Sequence, residues 1–187
     1  LTAIILTAVF AVCASAEDAT PISTAEEFEK IVGGKEYYLT QDIDFGGKEY
    51  TDYIVANFFG KIDGKGHTIY NFKIVTSGAN DAGIIQRACR YIDENKAEKT
   101  GNLDIVDLNI GKEDSPAVLT GTMTANSKSI GMLAGSMNSG PSLNLTNVNL
   151  YYDINIDGDV KVNIGGVVGY SRSFIFTNCK TYGKIQN

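Results

Sequence analysis

The sequence predicts an all-β protein: a β-solenoid of stacked strand-and-bend units behind one N-terminal capping helix. Three observations carry that expectation. Outside one segment near the N-terminus, the chain shows period-2 alternation and turn residues rather than helical periods. With 20 glycines but 3 prolines, turns are frequent and seldom proline-made. One short phrase also recurs: "IYNFKI" from Ile69, "IVDLNI" from Ile105, "LTNVNL" from Leu145 and "FTNCKT" from Phe176 align without gaps.

The columns of that alignment have physical meanings. Ile69, Ile105, Leu145 and Phe176 fill the first, and Phe72, Leu108, Val148 and Cys179 the fourth. Both are expected to stack as buried columns. Asn71, Asp107, Asn147 and Asn178 fill the third. After glycine, Asn and Asp best tolerate left-handed backbone, so this column marks a sharp bend. A second block, "AGIIQ" from Ala82, "IGMLAGS" from Ile130 and "IGGVVGY" from Ile164, accompanies the phrase. The Asn-type positions lie 36, 40 and 31 residues apart, which puts the insertions in loops. Periods of this size belong to solenoids, propellers or arrays. A propeller needs four strands per blade, and the blocks show fewer. A strand-and-bend unit cannot bury its apolar face alone. Stacking at about 4.8 Å pairs the backbones and aligns the inward residues.

Residues 1–16, "LTAIILTAVFAVCASA", are uncharged and end in an A-x-A pattern, the signature of a secretory signal peptide. The run is shorter than the ~20 apolar residues of a membrane-spanning helix. It lacks an initiator Met and a basic start, so the chain reads as a fragment, with further repeats expected beyond residue 187. Val12 stands where lipidation at Cys13 would need a small residue. An N-terminal cap is expected over 17–59, with its helix at about 24–32. Ser23 and Glu26 match a capping box, Phe28, Ile31 and Val32 share one face, and Gly33-Gly34 stop the helix. In "YYLTQDIDF", Tyr37, Leu39, Ile43 and Phe45 fall on one face and Thr40, Asp42 and Asp44 on the other. The repeats are expected over 60–187. No second helix of useful length appears, which excludes a parallel sheet built on helical crossovers.

"FFGKIDGKGHTIYNFKI" resembles a phrase that opens many bacterial surface β-helices, and "IGGVVGYS…IFTNC" resembles the GLUG repeat of secreted and cell-surface proteins. "ISTAEEFEKI…YYLTQDID" is similar to the segment that caps such repeats. The resemblance spans about residues 22–187. It implies a right-handed parallel β-helix of the pectate-lyase-like class, in an adhesin-like protein placed outside the cell. The chain departs from the pattern in two places. "AGIIQRACR" lacks the second glycine, and "YIDENKAEKTG" is a charged insertion.

The candidate sites point away from chemistry. His67, the only histidine, sits at a turn without a nucleophile elbow nearby in sequence. No HExxH, CxxC or P-loop is present. Asp153, Asn155, Asp157 and Gly158 open like a calcium loop, but Ile164 stands where the acidic twelfth ligand belongs. A hairpin-like excursion or strand corner explains the stretch more simply. Thr120, Thr122 and Thr124 alternate but do not recur in the other blocks. Arg87, Arg90 and Arg172 lack a carboxylate motif of the kind that polysaccharide lyases use. Cys89 and Cys179 either pair or pack as thiols, and Asn144 opens an NLT sequon. A net charge of -6 and a pI near 4.8 argue against nucleic acid as a partner. The expectation is therefore a secreted or cell-surface module that binds or scaffolds, with no catalytic, cofactor or metal residue. An extracellular glycan or a surface protein is the expected partner. The alternative is part of a carbohydrate-active enzyme, recognisable by a cleft of converging Asp and Arg.

Overall fold

Alternating apolar residues give short strands with one buried face, and residues of positive φ turn the chain between them. The computed structural model describes residues 19–186. The expected signal peptide at 1–16 and Cys13 lie outside the described residues. The described residues are all-β with parallel sheets and, among them, a single helical turn, Ala25–Phe28. One sheet holds Thr20–Ile22, Lys35–Leu39, Gly60–Asp63, Leu103–Val106, Leu143–Thr146 and Phe174–Thr177 in that spatial order. The second is built on Ile43–Thr51, Thr68–Thr76, Ala117–Thr122, Asn149–Asp157 and Lys180–Gln186, with the short strand Asn109–Ile110 beside them. The third holds Tyr53–Phe58, Gly83–Ala88, Ala134–Met137 and Val168–Tyr170. Lys128–Gly131 and Val162–Gly165 pair separately. From Lys35 onward, each pass of the chain visits the three sheets in the same order and pairs in parallel with the pass before it. The charged insertion forms the one antiparallel pair among the described residues, Arg90–Ile92 with Glu98–Thr100.

The core lies between the sheets as in-register apolar columns. Tyr37, Ile62, Ile105, Leu145 and Phe176 are successive partners in the first sheet. In the second, Ile43, Ile69, Ile110 and Leu150 form one column, and Tyr50, Ile74, Leu119, Ile154 and Ile185 another. The first-column expectation is thus corrected at two residues. Ile69 aligns with Ile110 rather than Ile105. The bend Gly64–His67 is two residues longer than its counterpart at Asp107–Leu108, so the true partner of Ile105 is Ile62. Phe176 is 40% exposed rather than buried, because it lies on the outermost described strand of its sheet. The fourth column is corrected as well: Leu108 and Val148 are buried and Cys179 half-buried, but Phe72, although buried, lies within Thr68–Thr76 opposite Lys48 and outside that column. The second block pairs as expected: Ala82 with Ile130, and Ile130 with Ile164. Its first member is one residue short, so Ile85 meets Ala134 rather than Leu133.

All four residues of the expected bend column have positive φ: Asn71 at 62°, Asp107 at 50°, Asn147 at 54° and Asn178 at 51°. The backbone reason is joined by a second one. Asn147 donates its amide to Asp107 at 2.7 Å, and Asn178 donates to Asn147 at 2.7 Å. Asn71 stands apart from this ladder and donates instead to Asp44 at 2.7 Å.

The N-terminus differs most from expectation. The N-cap is Thr24, closed by Glu27, rather than Ser23 with Glu26. Both spacings satisfy the motif, but the Ser23 carbonyl accepts from Gln41 Nε2 at 2.8 Å, and Ile22 is held in a strand against Leu39. Only the Thr24 carbonyl is left to start the helix, accepting from Phe28 N at 3.1 Å. The expected helix at 24–32 shrinks to one turn, since the bonds that follow, Lys30 to Glu27 and Ile31 to Phe28, are i→i−3. That tightening buries Phe28 and Ile31 together, and Phe28 meets the Phe45 ring edge-on at 5.9 Å. Among the described residues no helix caps the first sheet, and the strand Thr20–Ile22 forms its edge. One buried cluster runs from Ile22 to Ile156, across the expected cap–repeat division at 59/60.

Candidate functional site

The strand Asn149–Asp157 alternates strictly. Leu150, Tyr152, Ile154 and Ile156 are buried, while Asn149, Tyr151, Asp153 and Asn155 face outward. Parallel in-register pairing carries each outward position to its neighbours in the next pass. Tyr151 pairs with Tyr182, and Asp153 with Lys184. On the other side, the position beside Tyr151 is Gly111, one step past the Ile110–Leu150 pair, and beyond it comes Tyr70. A tyrosine row with one gap therefore runs across the outer face of the second sheet.

The gap is built into the backbone. Gly111 has a φ of 69°, and a Cβ there would lie 2.2 Å from the Tyr151 carbonyl oxygen. The rings of Tyr151 and Tyr182 stack with centroids 4.8 Å apart and planes within 15°. That matches the distance between paired strands, so the stack follows from the register. The Lys112 ammonium sits 3.3 Å from the Tyr70 ring centroid, a cation–π contact, and 3.9 Å from Asp42. Beside the stacked pair runs a groove of about 280 Å³ lined by Glu113, Pro116, Tyr151, Asp153, Tyr182 and Lys184. Among the described residues, the side chains of Glu113, Asp153 and Lys184 have no hydrogen-bond or ion-pair partner.

A second groove, of about 490 Å³, is lined by Lys65, Asp107, Asn109, Asn147 and Asn149. Its amides are occupied differently: Asn149 donates to Asn109 at 2.8 Å and Asn109 to the Gly66 carbonyl at 2.9 Å. Together with the Asp107–Asn147–Asn178 ladder, these bonds tie successive passes together.

The residues singled out from sequence are scattered. His67 Nδ1 lies 3.4 Å from Asp42. Asp153, Asn155 and Asp157 lie along one extended strand instead of curling around an ion. The stretch is a strand corner rather than a hairpin, since Asn149–Asp157 and Val162–Gly165 pair with other strands. Thr120 stands between Val75 and Asn155, and Thr122 beside Asp157, so no threonine ladder forms there. Arg87 Nε is 3.5 Å from Asp81, whose carboxylate also accepts from Ser129 N and Ser136 Oγ. Arg90 pairs with Glu98 at 2.9 Å, and Arg172 Nε donates to the Tyr170 hydroxyl at 3.0 Å. The Asn144 amide donates to Asp104 at 2.6 Å. Cys89 and Cys179 are free thiols, and burial pushes the Cys89 thiol up to about 11.

Sequence reasoning passed over the tyrosine row, although a signal existed. One further column in the aligned phrase reads Gly111, Tyr151 and Tyr182. Tyr70 does not appear in that column, because the phrase from Ile69 aligns by sequence with Ile105 but in space with Ile110.

No protein-family model matches the chain, and no solved structure matches it. Among curated proteins, it is similar to Halomucin of Haloquadratum walsbyi (strain DSM 16790 / HBSQ001), 32% identical over 94 residues. The likeness covers 46% of this chain, which spans 1% of the length of Halomucin. Among the described residues, no helix is long and apolar enough to cross a membrane.

Proposed function

We propose that the chain is part of a secreted or cell-surface right-handed parallel β-helix of the GLUG type, and that it acts by binding or scaffolding rather than by chemistry. The repeated visiting of three parallel sheets in one order supports the solenoid reading. The likeness to Halomucin is compatible with a place at the cell surface. One observation carries the binding reading: the outward row of Tyr70, Tyr151 and Tyr182, with unpartnered polar groups along it. Tyrosine combines a large apolar face with a polar tip, which suits a surface that must stay wet when free and dry when bound. The alternative, part of a carbohydrate-active enzyme, calls for a free acid near an arginine. Of the acid–arginine pairs among the described residues, Asp81 beside Arg87 has its carboxylate engaged by Ser129 and Ser136, and Glu98 beside Arg90 accepts from Asn138.

The test is binding of the chain to arrayed extracellular polysaccharides and surface glycoproteins, with the supernatants assayed for released sugar ends. Retention without release is the expected result. Release of sugar ends would favour the enzyme reading, and binding to neither class would overturn the proposal.

A further inference from the structure

We infer that the groove beside Tyr151 and Tyr182 holds a sugar ring of a neutral glycan chain. This rests on the binding reading above and adds its site and ligand class. The rings of Tyr151 and Tyr182 lie stacked on the outer face of the second sheet. Such a platform suits the C–H face of a sugar, which is flat and apolar while its rim carries hydroxyls.

The rim of the groove is chemically matched to hydroxyls. Glu113 and Asp153 are acceptors and Lys184 is a donor, and none has a partner among the described residues. A hydroxyl both donates and accepts, so one sugar ring can satisfy groups of both kinds. Carboxylates outnumber the ammonium in the groove, and the whole chain carries a net charge of -6. A uronate or sulfated polymer would meet like charge there, so the field favours a neutral one. At about 280 Å³, the groove lies just under the ~300–1,000 Å³ range of small-molecule sites, the size for a ring or two rather than a long segment.

The experiment is calorimetric titration of the chain with cellohexaose, xylohexaose, mannohexaose and hexagalacturonate. At least one neutral hexaose should bind, and bind more tightly than hexagalacturonate. Tyr151→Ala and Tyr182→Ala should each weaken that binding about tenfold, while Tyr182→Phe keeps it. Circular dichroism checks that the variants fold, and Tyr182, being exposed, is the safer of the two. Preference for hexagalacturonate would overturn the inference. So would neutral binding unchanged in both alanine variants, although the chain would then remain a glycan binder through another face. If no hexaose binds but arrayed glycoproteins do, the ligand class is wrong and the binding reading survives. If nothing binds, both fail.

Discussion

Replacing Asn147 separates two reasons for one residue. Its φ of 54° demands left-handed backbone, and its side chain links Asp107 to Asn178 through two bonds of 2.7 Å. Asn147→Ala loses both. Left-handed backbone costs a β-carbon residue about 1–2 kcal/mol. The two bonds are exposed, so together they contribute about 1 kcal/mol, the low end for such bonds. The expected loss is therefore about 2–3 kcal/mol. Asn147→Gly also loses the bonds but accepts the backbone without strain, at an entropic cost of about 0.5–1 kcal/mol relative to alanine. The glycine variant should be the more stable of the two by about 0.5–1 kcal/mol. Urea unfolding followed by circular dichroism reads this directly, since a loss of ~2 kcal/mol moves the midpoint by about 1 M at unchanged slope. If the alanine variant proves as stable as the glycine variant, the backbone argument for the whole Asn and Asp column is wrong.

Leu108→Ala should cost about 2–5 kcal/mol, because Leu108 is fully buried beside the bend, and the same urea assay measures it. Under native conditions near neutral pH, a thiol reagent should modify Cys179 quickly and Cys89 slowly, since Cys89 is buried with its thiol pushed up to about 11 while Cys179 is half-buried; mass spectrometry of the labelled peptides would show the reverse order if the burial is wrong. Partial burial pushes the Glu29 carboxyl up, but hydrogen bonds from Lys48 at 2.7 Å and Tyr50 at 2.5 Å outweigh it and hold the group below its ordinary value of 4.5. A depressed folded value stabilises the protein above the unfolded value, and that contribution is lost as pH falls through the folded one. Glu29→Gln should therefore be less stable than the parent chain at pH 6 and equal to it in strong acid. A stability gap independent of pH would contradict the ion-pair reading.

The strand character of the chain was legible because it is local. Alternation at Tyr37, Leu39, Ile43 and Phe45 needs only a period of two, and each of these residues is buried. The left-handed bends at Asp107, Asn147 and Asn178 were legible for the same reason, since φ tolerance belongs to the residue itself. So was the pairing of Ala82, Ile130 and Ile164, because parallel in-register stacking turns sequence likeness into spatial adjacency. Whatever depended on counting residues through a bend was decided only in three dimensions. Two extra residues between Ile62 and Ile69 moved a whole phrase into another column. Competition for the Ser23 carbonyl moved the helix cap by one position. The tyrosine row belongs to this second class. Its members are distant in sequence and ordinary as single residues, and they meet because register carries one outward position through successive passes, where a side chain at Gly111 would collide with the backbone of the next strand.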